Sequence, residues 1–317
     1  MKRSGLLADI GGTNVRFATL TPDGKIGAVE AWLTSLYPDF ATAVRTYADI
    51  AGVKLPFESA AICAAGPLEG DHIDLTNCAW KISVAEIAAA TGAKKPILVN
   101  DFAAVARALP VLGHDDLIHF GGTEPLDLAP KVVLGPGTGL GVAGLVPDDT
   151  RKWTVVAGEG GHADLAPHDE REIAILFHLI REYGHVSVER VLSGPGLETL
   201  YLAIAALDGK ALKAKPIAAD IAKAARANTD PMAVEAIRLF TGWLGSVAGN
   251  LALSFGGRGG VYIAGGIVPK WDDLFDAKLF RHRFEAKGRM RNFLHPIPTY
   301  LITAKDLAFR GLAEMLR

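Results

Sequence analysis

Two glycine-rich segments carry the first signs of chemistry in this sequence. The first, residues 9–14, reads Asp-Ile-Gly-Gly-Thr-Asn and lies between two apolar runs that predict strands. Glycines let a backbone approach an anion closely, and successive N–H groups in such a turn form a concave anion site. Asp9, at the strand end, is suited to hold Mg²⁺ through water. A tight hairpin without a ligand explains this segment equally well.

The second segment, residues 135–141, reads Gly-Pro-Gly-Thr-Gly-Leu-Gly and holds more glycine than a simple turn requires. Because each segment begins a triplet of predicted strands, we expect two half-sites that clamp one polyphosphate. Gly139, Gly141 and Gly144 also match the dinucleotide pattern G-x-G-x-x-G, but that pattern must open a helix. Here the chain continues as a predicted strand, so a dinucleotide site is not expected. The sequence also lacks a P-loop.

A polar pair, Asn100-Asp101, follows the apolar residues 97–99 and precedes a predicted helix. One interpretation is that Asp101 only caps that helix. In the other, its carboxylate lies at the carboxyl end of a strand, where α/β proteins bind their ligands. A carboxylate there can accept the proton of an attacking hydroxyl.

A second polar group, Gly158-Glu159-Gly160-Gly161-His162, is harder to explain as structure alone. The glycines argue against a helix, and therefore against a helical Glu-x-x-His metal pair. A loop that offers a carboxylate and an imidazole suits a polyol, whose hydroxyls both donate and accept. Glu189, taken by itself, is typical of a surface helix residue that pairs with a neighbour.

The elements that must position these residues follow one plan twice. Residues 5–109 predict strand, glycine turn, strand, turn and strand, followed by helices that alternate with buried strands. The same order begins again at residue 132, and the longest helix starts at the cap Asp230-Pro231. A short amphipathic helix is predicted over 307–316. The fold class is α/β, either as two domains or as one large α/β unit, and a hinge between the two passes is expected near residues 110–115.

Composition excludes several classes of function. The chain has 317 residues, with Lys+Arg 33 against Asp+Glu 35 and a net charge of −2, so nucleic acid is not an expected partner. No apolar run reaches the roughly 18 residues of a membrane span, and the apolar start is too short for a signal peptide. Cys63 and Cys78 are the only cysteines, which indicates a reducing, cytoplasmic setting.

Six motifs occur here in the order in which bacterial glucokinases carry them, and the chain resembles that family from residue 6 to its C-terminal helix. In sequence order the motifs are Leu7-Ala8-Asp9-Ile10-Gly11-Gly12-Thr13-Asn14, Leu98-Val99-Asn100-Asp101-Phe102, Leu134-Gly135-Pro136-Gly137-Thr138-Gly139-Leu140-Gly141, Gly158-Glu159-Gly160-Gly161-His162, Glu189-Arg190-Val191-Leu192-Ser193-Gly194-Pro195-Gly196 and Ala264-Gly265-Gly266.

The resemblance implies an actin-like ATPase (ribonuclease H-like) fold, with two α/β domains around a central cleft. The small domain would hold residues 1–110 and the C-terminal helix, about 303–317, and the large domain residues 111–302. The family's reaction is ATP-dependent phosphorylation of D-glucose to D-glucose 6-phosphate, the entry step of glycolysis, with Mg²⁺. Such enzymes commonly form homodimers.

The resemblance also assigns roles to residues. Those implied to hold the phosphates of ATP are Ala8, Asp9, Ile10, Gly11, Gly12, Thr13, Gly137 and Thr138. Gly265 and Gly266 would approach the adenosine. Those implied to bind the sugar are Asn100, Asp101, Glu159, His162 and Glu189, with Asp101 as the base that takes the proton of the 6-hydroxyl.

Several alternatives stay open from the sequence. A related repressor–kinase group carries a cysteine-rich zinc motif beside its sugar-binding histidine; this chain has no such motif, which indicates the zinc-free glucokinase branch and argues against an N-acetylmannosamine kinase. A transcription regulator would need an N-terminal helix-turn-helix, for which the segment before Asp9 leaves no room. A kinase for mannose or fructose, an actin-like ATPase without sugar kinase activity, and ADP or polyphosphate as donor remain alternatives.

Overall fold

The computed structural model describes residues 4–75, 78, 80–212 and 214–317. The chain divides into two compact units: residues up to Gly113 together with Ala304–Arg317 form the first, and His114–Thr303 forms the second. The domain limits expected from the sequence, near residues 110 and 303, remain predictions that limited proteolysis can test.

The first unit begins with a strand triplet and continues with alternating helices and strands. Its strands are β1 (Gly5–Ile10), β2 (Asn14–Leu20), β3 (Glu30–Leu33), β4 (Ala60–Ala64), β5 (Leu68–Glu69), β6 (His72–Asp74), β7 (Lys81–Ser83) and β8 (Ile97–Asn100). The helices that follow β3, β7 and β8 are α1 (Phe40–Ile50), α2 (Val84–Thr91) and α3 (Asp101–Ala108).

The main sheet of this unit has the strand order β3-β2-β1-β4-β8. β1 is antiparallel to β2 and parallel to β4. The first glycine turn therefore joins the antiparallel neighbours β1 and β2. Phe17 stacks on Phe40 and Tyr47 beneath this sheet, and all three side chains are buried. The small sheet β5-β6-β7 was not predicted, because strands of two or three residues are too short to show a periodic pattern.

The second unit has its own strand triplet, followed by a mainly helical stretch. Its strands are β9 (Leu117–Gly121), β10 (Lys131–Pro136), β11 (Leu140–Pro147), β12 (Trp153–Gly158), β13 (Val261–Ile263) and β14 (Thr299–Ile302). Its helices are α4 (Glu170–Tyr183), α5 (Gly194–Leu207), α6 (Ala218–Arg226), α7 (Pro231–Phe255), α8 (Val268–Trp271), α9 (Ala277–Glu285) and α10 (Arg291–Leu294).

The predicted repetition of one plan is confirmed by the second sheet, whose strand order is β12-β11-β10-β13-β14-β9. β10 is antiparallel to β11 and parallel to β13, as β1 is to β2 and β4. Each glycine-rich segment therefore joins the first two strands of its triplet. The sequence analysis did not find β9 or β14.

Helix α9 was also missed, because its sequence is rich in Arg and Lys and its apolar face is short. The helix packs on α7, where glycines admit its backbone: a Cβ on Gly245 would lie 2.3 Å from the carbonyl oxygen of Phe280. Arg283 of α9 forms an ion pair with Glu172 of α4, and both side chains are almost fully buried. This pair joins α9 to α4 in the core of the second unit.

The C-terminal helix α11 (Leu307–Met315) packs against α3 in the first unit. A Cβ on Gly311 would lie 1.8 Å from the carbonyl oxygen of Ala104, so a glycine is needed where the two helices meet. Asp101 is the first residue of α3, and its position therefore depends on this contact. Among the described residues, no helix combines the length and the apolar character that a membrane span needs.

We predict that Gly311→Ala lowers the free energy of unfolding by about 2–3 kcal/mol, because the added methyl group forces α11 away from α3. Gly158→Ala is the matched control, since a Cβ there meets nothing within 4 Å. Urea denaturation followed by circular dichroism measures both variants. Equal stability of Gly311→Ala and the parent chain would show that the helices do not need this close approach.

Candidate active site

The first glycine-rich segment is a hairpin turn between β1 and β2. The N–H of Gly11 donates to the carbonyl oxygen of Asn14 at 2.8 Å, which closes the turn. Thr34 supports it from β3's end, because its Oγ1 donates to the carbonyl oxygens of Gly12 and Thr13 at 3.3 and 3.1 Å. Among the residues predicted to hold phosphate, Ala8 and Ile10 have fully buried side chains. A ligand would therefore meet the backbone at Gly11, Gly12 and Thr13.

Asp9, the predicted magnesium-side residue, has protein partners that the sequence analysis did not anticipate. Arg16 faces it across the β1–β2 pair, and both Nε and Nη2 of Arg16 donate to Oδ2 of Asp9. The thiol of Cys63, on the neighbouring strand β4, donates to Oδ1 at 3.5 Å. Hairpin register is the signal that could have pointed to Arg16, because the pairing of Ile10 with Val15 places residues 9 and 16 opposite each other.

The Asp9 carboxylate fits the expected role toward Mg²⁺. Its side chain is 20% exposed, and Oδ1 accepts the weakly donating thiol of Cys63 at 3.5 Å. Carboxylate oxygen is the hard ligand that Mg²⁺ prefers, and one such contact through water is a common arrangement. Among the described residues, no group of three His, Cys, Asp or Glu side chains forms a metal-binding cluster.

Asn100 and Asp101 lie where β8 passes into α3, as the sequence predicts. Asn100, not Asp101, is the helix cap: its Oδ1 accepts the N–H of Phe102 at 2.8 Å, and its Nδ2 donates to the carbonyl oxygen of Gly66 at 2.9 Å. Oδ1 of Asp101 also accepts the N–H of Phe102 at 2.8 Å. The N-cap of α3 is thus Asn100, while Asp101 occupies the first helical position and accepts an N–H of the same turn.

The carboxylates of Asp9 and Asp101 both act on the Cys63 thiol. Burial raises the pKa of Cys63, and the negative charges of Asp9 and Asp101 raise it further. The thiol thus stays protonated and can donate to Asp9.

The second glycine-rich segment is also a hairpin, between β10 and β11. The N–H of Gly137 donates to the carbonyl oxygen of Gly139 at 2.8 Å, and the carbonyl oxygen of Gly137 accepts the N–H of Gly194 at 2.8 Å. Gly194 is the first residue of α5. A Cβ on Gly137 would meet nothing within 4 Å, so the backbone there is open to a ligand. The open space beside Gly137 fits an anion such as phosphate, which backbone turns of this kind can bind.

Glu189 holds this hairpin from the side. Its Oε2 accepts the N–H of Leu140 at 2.7 Å, and a Cβ on Gly139 would lie 2.4 Å from the same oxygen. Glu189 therefore needs a glycine at position 139 to reach the backbone. The interpretation of Glu189 as an ordinary surface residue is wrong.

A pocket of about 240 Å³ in the second unit brings three predicted residues together: Thr138, His162 and Glu189. The full lining comprises Thr138, His162, Ser187, Glu189, Arg190, Ser193, Pro195, Gly196 and Thr199. Ser193 caps α5 by accepting the N–H of Gly196 at 2.9 Å. This role of Ser193 was not predicted, although Ser-Gly-Pro in the 189–196 motif is a typical helix start.

Glu159, in contrast, does not line this pocket. It is exposed and precedes one turn of 3-10 helix at Gly160–His162, where its carbonyl oxygen accepts the N–H of His162 at 2.9 Å. The turn rests on the second hairpin, since a Cβ on Gly161 would lie 2.3 Å from the carbonyl oxygen of Leu140. The short turn replaces the open loop that the glycines indicated.

Gly265 and Gly266 follow β13 and pack beside the same hairpin. Gly265 has φ +83°, and a Cβ on it would lie 2.4 Å from the carbonyl oxygen of Pro136. A Cβ on Gly266 would meet nothing within 4 Å. The Gly265-Gly266 turn thus packs against the second glycine hairpin through Gly265, while the space beside Gly266 is open.

Comparison with known proteins identifies the family. The glucokinase family model matches residues 6–317. The bifunctional protein glk of Burkholderia thailandensis is 46% identical over 312 residues, which make up 98% of this chain and 48% of that protein. This chain thus spans about half the length of that relative. The glucokinase of Paramagnetospirillum magneticum is 44% identical over 318 residues, covering 100% of this chain and 98% of its own.

A solved structure supports the same assignment. The crystal structure of a glucokinase from an Antarctic psychrotroph superimposes with a TM-score of 0.89 at 33% identity, covering 100% of this chain and 99% of that one. The α/β architecture, its repeated strand triplets and the six motifs agree with this likeness. The chain therefore belongs to the glucokinase family and has the actin-like ATPase fold of that family.

Proposed function

We propose that this chain transfers the γ-phosphoryl group of ATP to the 6-hydroxyl of D-glucose. The observation that carries the proposal is the position of Glu189. One carboxylate lines the pocket with His162 and also accepts the N–H of Leu140 in the second glycine hairpin. A polyol-binding group thus touches a phosphate-binding turn directly, as a kinase for a sugar requires. Family membership supports the same activity.

The nucleotide would be held mainly by backbone. The proposed phosphate contacts are Ala8, Asp9, Ile10, Gly11, Gly12 and Thr13 in the first hairpin and Gly137 and Thr138 in the second. Because Ala8 and Ile10 are buried, their part is to fix the turn. Gly265 and Gly266 are the proposed adenosine contacts, and the open space at Gly266 supports this.

The sugar would be held by polar side chains that both donate and accept. The proposed contacts are Asn100, Asp101, Glu159, His162 and Glu189. Oε1 of Glu189 is the oxygen proposed to accept a sugar hydroxyl, because Oε2 already accepts the N–H of Leu140. A hydrogen bond to a charged group contributes roughly 1.5–3 kcal/mol, so a hexose that lacks the matching hydroxyl would be disfavoured.

Asp101 is the proposed general base. It would accept the proton of the 6-hydroxyl while that oxygen forms its bond to the γ-phosphorus and the bond to the β–γ bridging oxygen breaks, releasing ADP. Mg²⁺, bound with ATP beside Asp9, would offset the negative charge of the phosphates. Positioning and electrostatics supply most of the catalysis, and no covalent intermediate with the enzyme is expected.

The setting of the protein is also proposed. Cys63 and Cys78 are free thiols, which fits the reducing cytoplasm. A homodimer is proposed because α4 exposes apolar side chains at helical spacing: Ile173, Phe177 and Ile180 are 55%, 61% and 43% exposed. A single apolar stripe of this kind can pack on its own copy across a twofold axis.

The function is tested by a coupled assay of glucose, mannose, fructose and N-acetylglucosamine with ATP, ADP and polyphosphate. We expect glucose with ATP to give the highest kcat/KM. We further predict that Asp101→Ala and Asp101→Asn each lower kcat by about 10²–10⁴-fold while glucose still binds, since each removes the base.

The two Asp101 variants separate catalysis from structure. Asn keeps an oxygen that can accept the N–H of Phe102, whereas Ala does not. Normal turnover in Asp101→Asn would assign Asp101 a structural role instead. Asp49→Ala, on the exposed end of α1, is the matched control and should keep parental turnover. ATP hydrolysis that does not depend on any hexose would favour an actin-like ATPase.

We predict that Gly139→Ala weakens glucose binding by about 10-fold or more, because the methyl group displaces Glu189 and a charged hydrogen bond is lost. Isothermal titration with glucose measures the effect. Gly137→Ala is the control from the same hairpin: its Cβ meets open space, so the glucose Kd should not change. An unchanged glucose Kd in folded Gly139→Ala would remove Glu189 from the sugar site.

We predict that Phe177→Asp converts a dimer into a monomer in sedimentation velocity, because a charge at the centre of the stripe must be desolvated in the interface. Ile217→Asp is the control: Ile217 is 56% exposed but lies at the N-cap of α6, where Asp is favourable. A dimer that survives Phe177→Asp would place the interface elsewhere.

A further inference from the structure

The guanidinium of Arg16 joins the first glycine hairpin to the C-terminal helix. Its Nε and Nη2 donate to Asp9 on β1, and its Nη1 donates to Oδ1 of Asp306 at 3.3 Å. Its central carbon lies 5.3 Å from the ring centre of Phe309, which is fully buried on α11. Three groups from two distant parts of the chain thus meet at one side chain.

Asp306 contacts Arg16 and does not cap its own helix, α11. It stands at the N-cap of α11, where an aspartate ordinarily accepts an N–H of the first turn. Its side chain makes no such bond within the described chain, and its backbone has φ +54°, a region that most residues avoid. The carboxylate turns to Arg16 instead. Helix capping therefore does not explain an aspartate at position 306, whereas the ion pair with Arg16 does.

Stability alone explains this arrangement poorly. The side chains of Arg16 and Asp306 are 36% and 44% exposed, and ion pairs at such positions contribute little to folding. The consequence for Asp9 is more specific. Two N–H groups of Arg16 occupy Oδ2 of Asp9, so a further ligand would meet Oδ1, which accepts the weakly donating thiol of Cys63 at 3.5 Å. Arg16 therefore determines which edge of the Asp9 carboxylate is available.

We propose that Arg16 is a positioning residue that orients Asp9 toward Mg²⁺·ATP and ties that orientation to helix α11 through Asp306 and Phe309. The inference rests on the proposed use of ATP with Mg²⁺. Lysine would be a poor substitute, because its compact ammonium lacks the planar fork in which Nε and Nη2 reach Oδ2 of Asp9 while Nη1 reaches Asp306.

The test measures binding rather than turnover. Mn²⁺ with a non-hydrolysable ATP analogue is titrated into each variant and followed by electron paramagnetic resonance, and glucose Kd and Tm are measured in parallel. We expect Arg16→Gln to weaken Mn²⁺·nucleotide binding by about 10-fold or more, since loss of a group that orients a metal-side ligand commonly has this effect. The glucose Kd should stay at its parental value.

Two further variants and a control sharpen the test. Arg16→Lys should bind Mn²⁺·nucleotide more tightly than Arg16→Gln but less tightly than the parent chain. Asp306→Asn should weaken this binding less than Arg16→Gln does. It should not lower the Tm, because Asn tolerates a positive φ. Arg45→Gln is the control, an arginine of the same unit whose Nη2 donates to Thr42 on α1. Its nucleotide affinity should match the parent chain.

The outcomes separate this inference from the proposed function. A lower Tm in Arg16→Gln with parental Mn²⁺·nucleotide affinity would overturn the inference and leave the kinase proposal intact. A parent chain that binds the nucleotide complex but phosphorylates no hexose would overturn the kinase proposal, while the Arg16 comparison still decides the inference. A parent chain that binds no nucleotide would overturn both.

Discussion

Backbone contacts that leave no room for a Cβ surround the second glycine hairpin, and the pocket beside it depends on them. Glu189 reaches the N–H of Leu140 because residue 139 is glycine, and the turn that carries His162 rests on Leu140 because residue 161 is glycine. Gly265 meets the carbonyl oxygen of Pro136 for the same reason. Such close approach of side chains and backbone from separate segments requires glycine, which has no Cβ.

The first hairpin is stabilised by different means, although both stand at the same place in their sheets. Its turn is closed by Gly11 and Asn14 and supported by the hydroxyl of Thr34. Its acidic residue is held by an ion pair with Arg16 rather than by close backbone packing. The repeat thus preserves the topology of the two turns while the groups that fix them differ. In the proposed function, one turn presents a carboxylate toward Mg²⁺ and the other links phosphate to sugar.

Prediction from sequence was most accurate for elements with a clear periodic pattern of apolar residues or a clear capping residue. The strand triplets, the glycine turns and α7 have strong periodic or capping signals, and the structure has them. Helix α9 escaped because two of its buried residues are Arg281 and Arg283, whose charges hide its inner face. The strands β5, β6 and β7 escaped because they are too short to show alternation. Among site residues, Arg16 and Ser193 were missed, since each acts through a partner that only the folded chain supplies.

By itself, the sequence determined the α/β class, the duplicated plan, the two glycine turns and the acidic residue at the start of α3, because each depends on neighbours within a few residues. The tertiary structure decided which groups meet. It placed Glu189 against a turn about fifty residues earlier, joined Arg16 to Asp306 near the other end of the chain, and made Asn100 rather than Asp101 the N-cap of α3. Such contacts follow from sheet register and from the space that missing Cβ atoms leave, and neither is visible in local pattern.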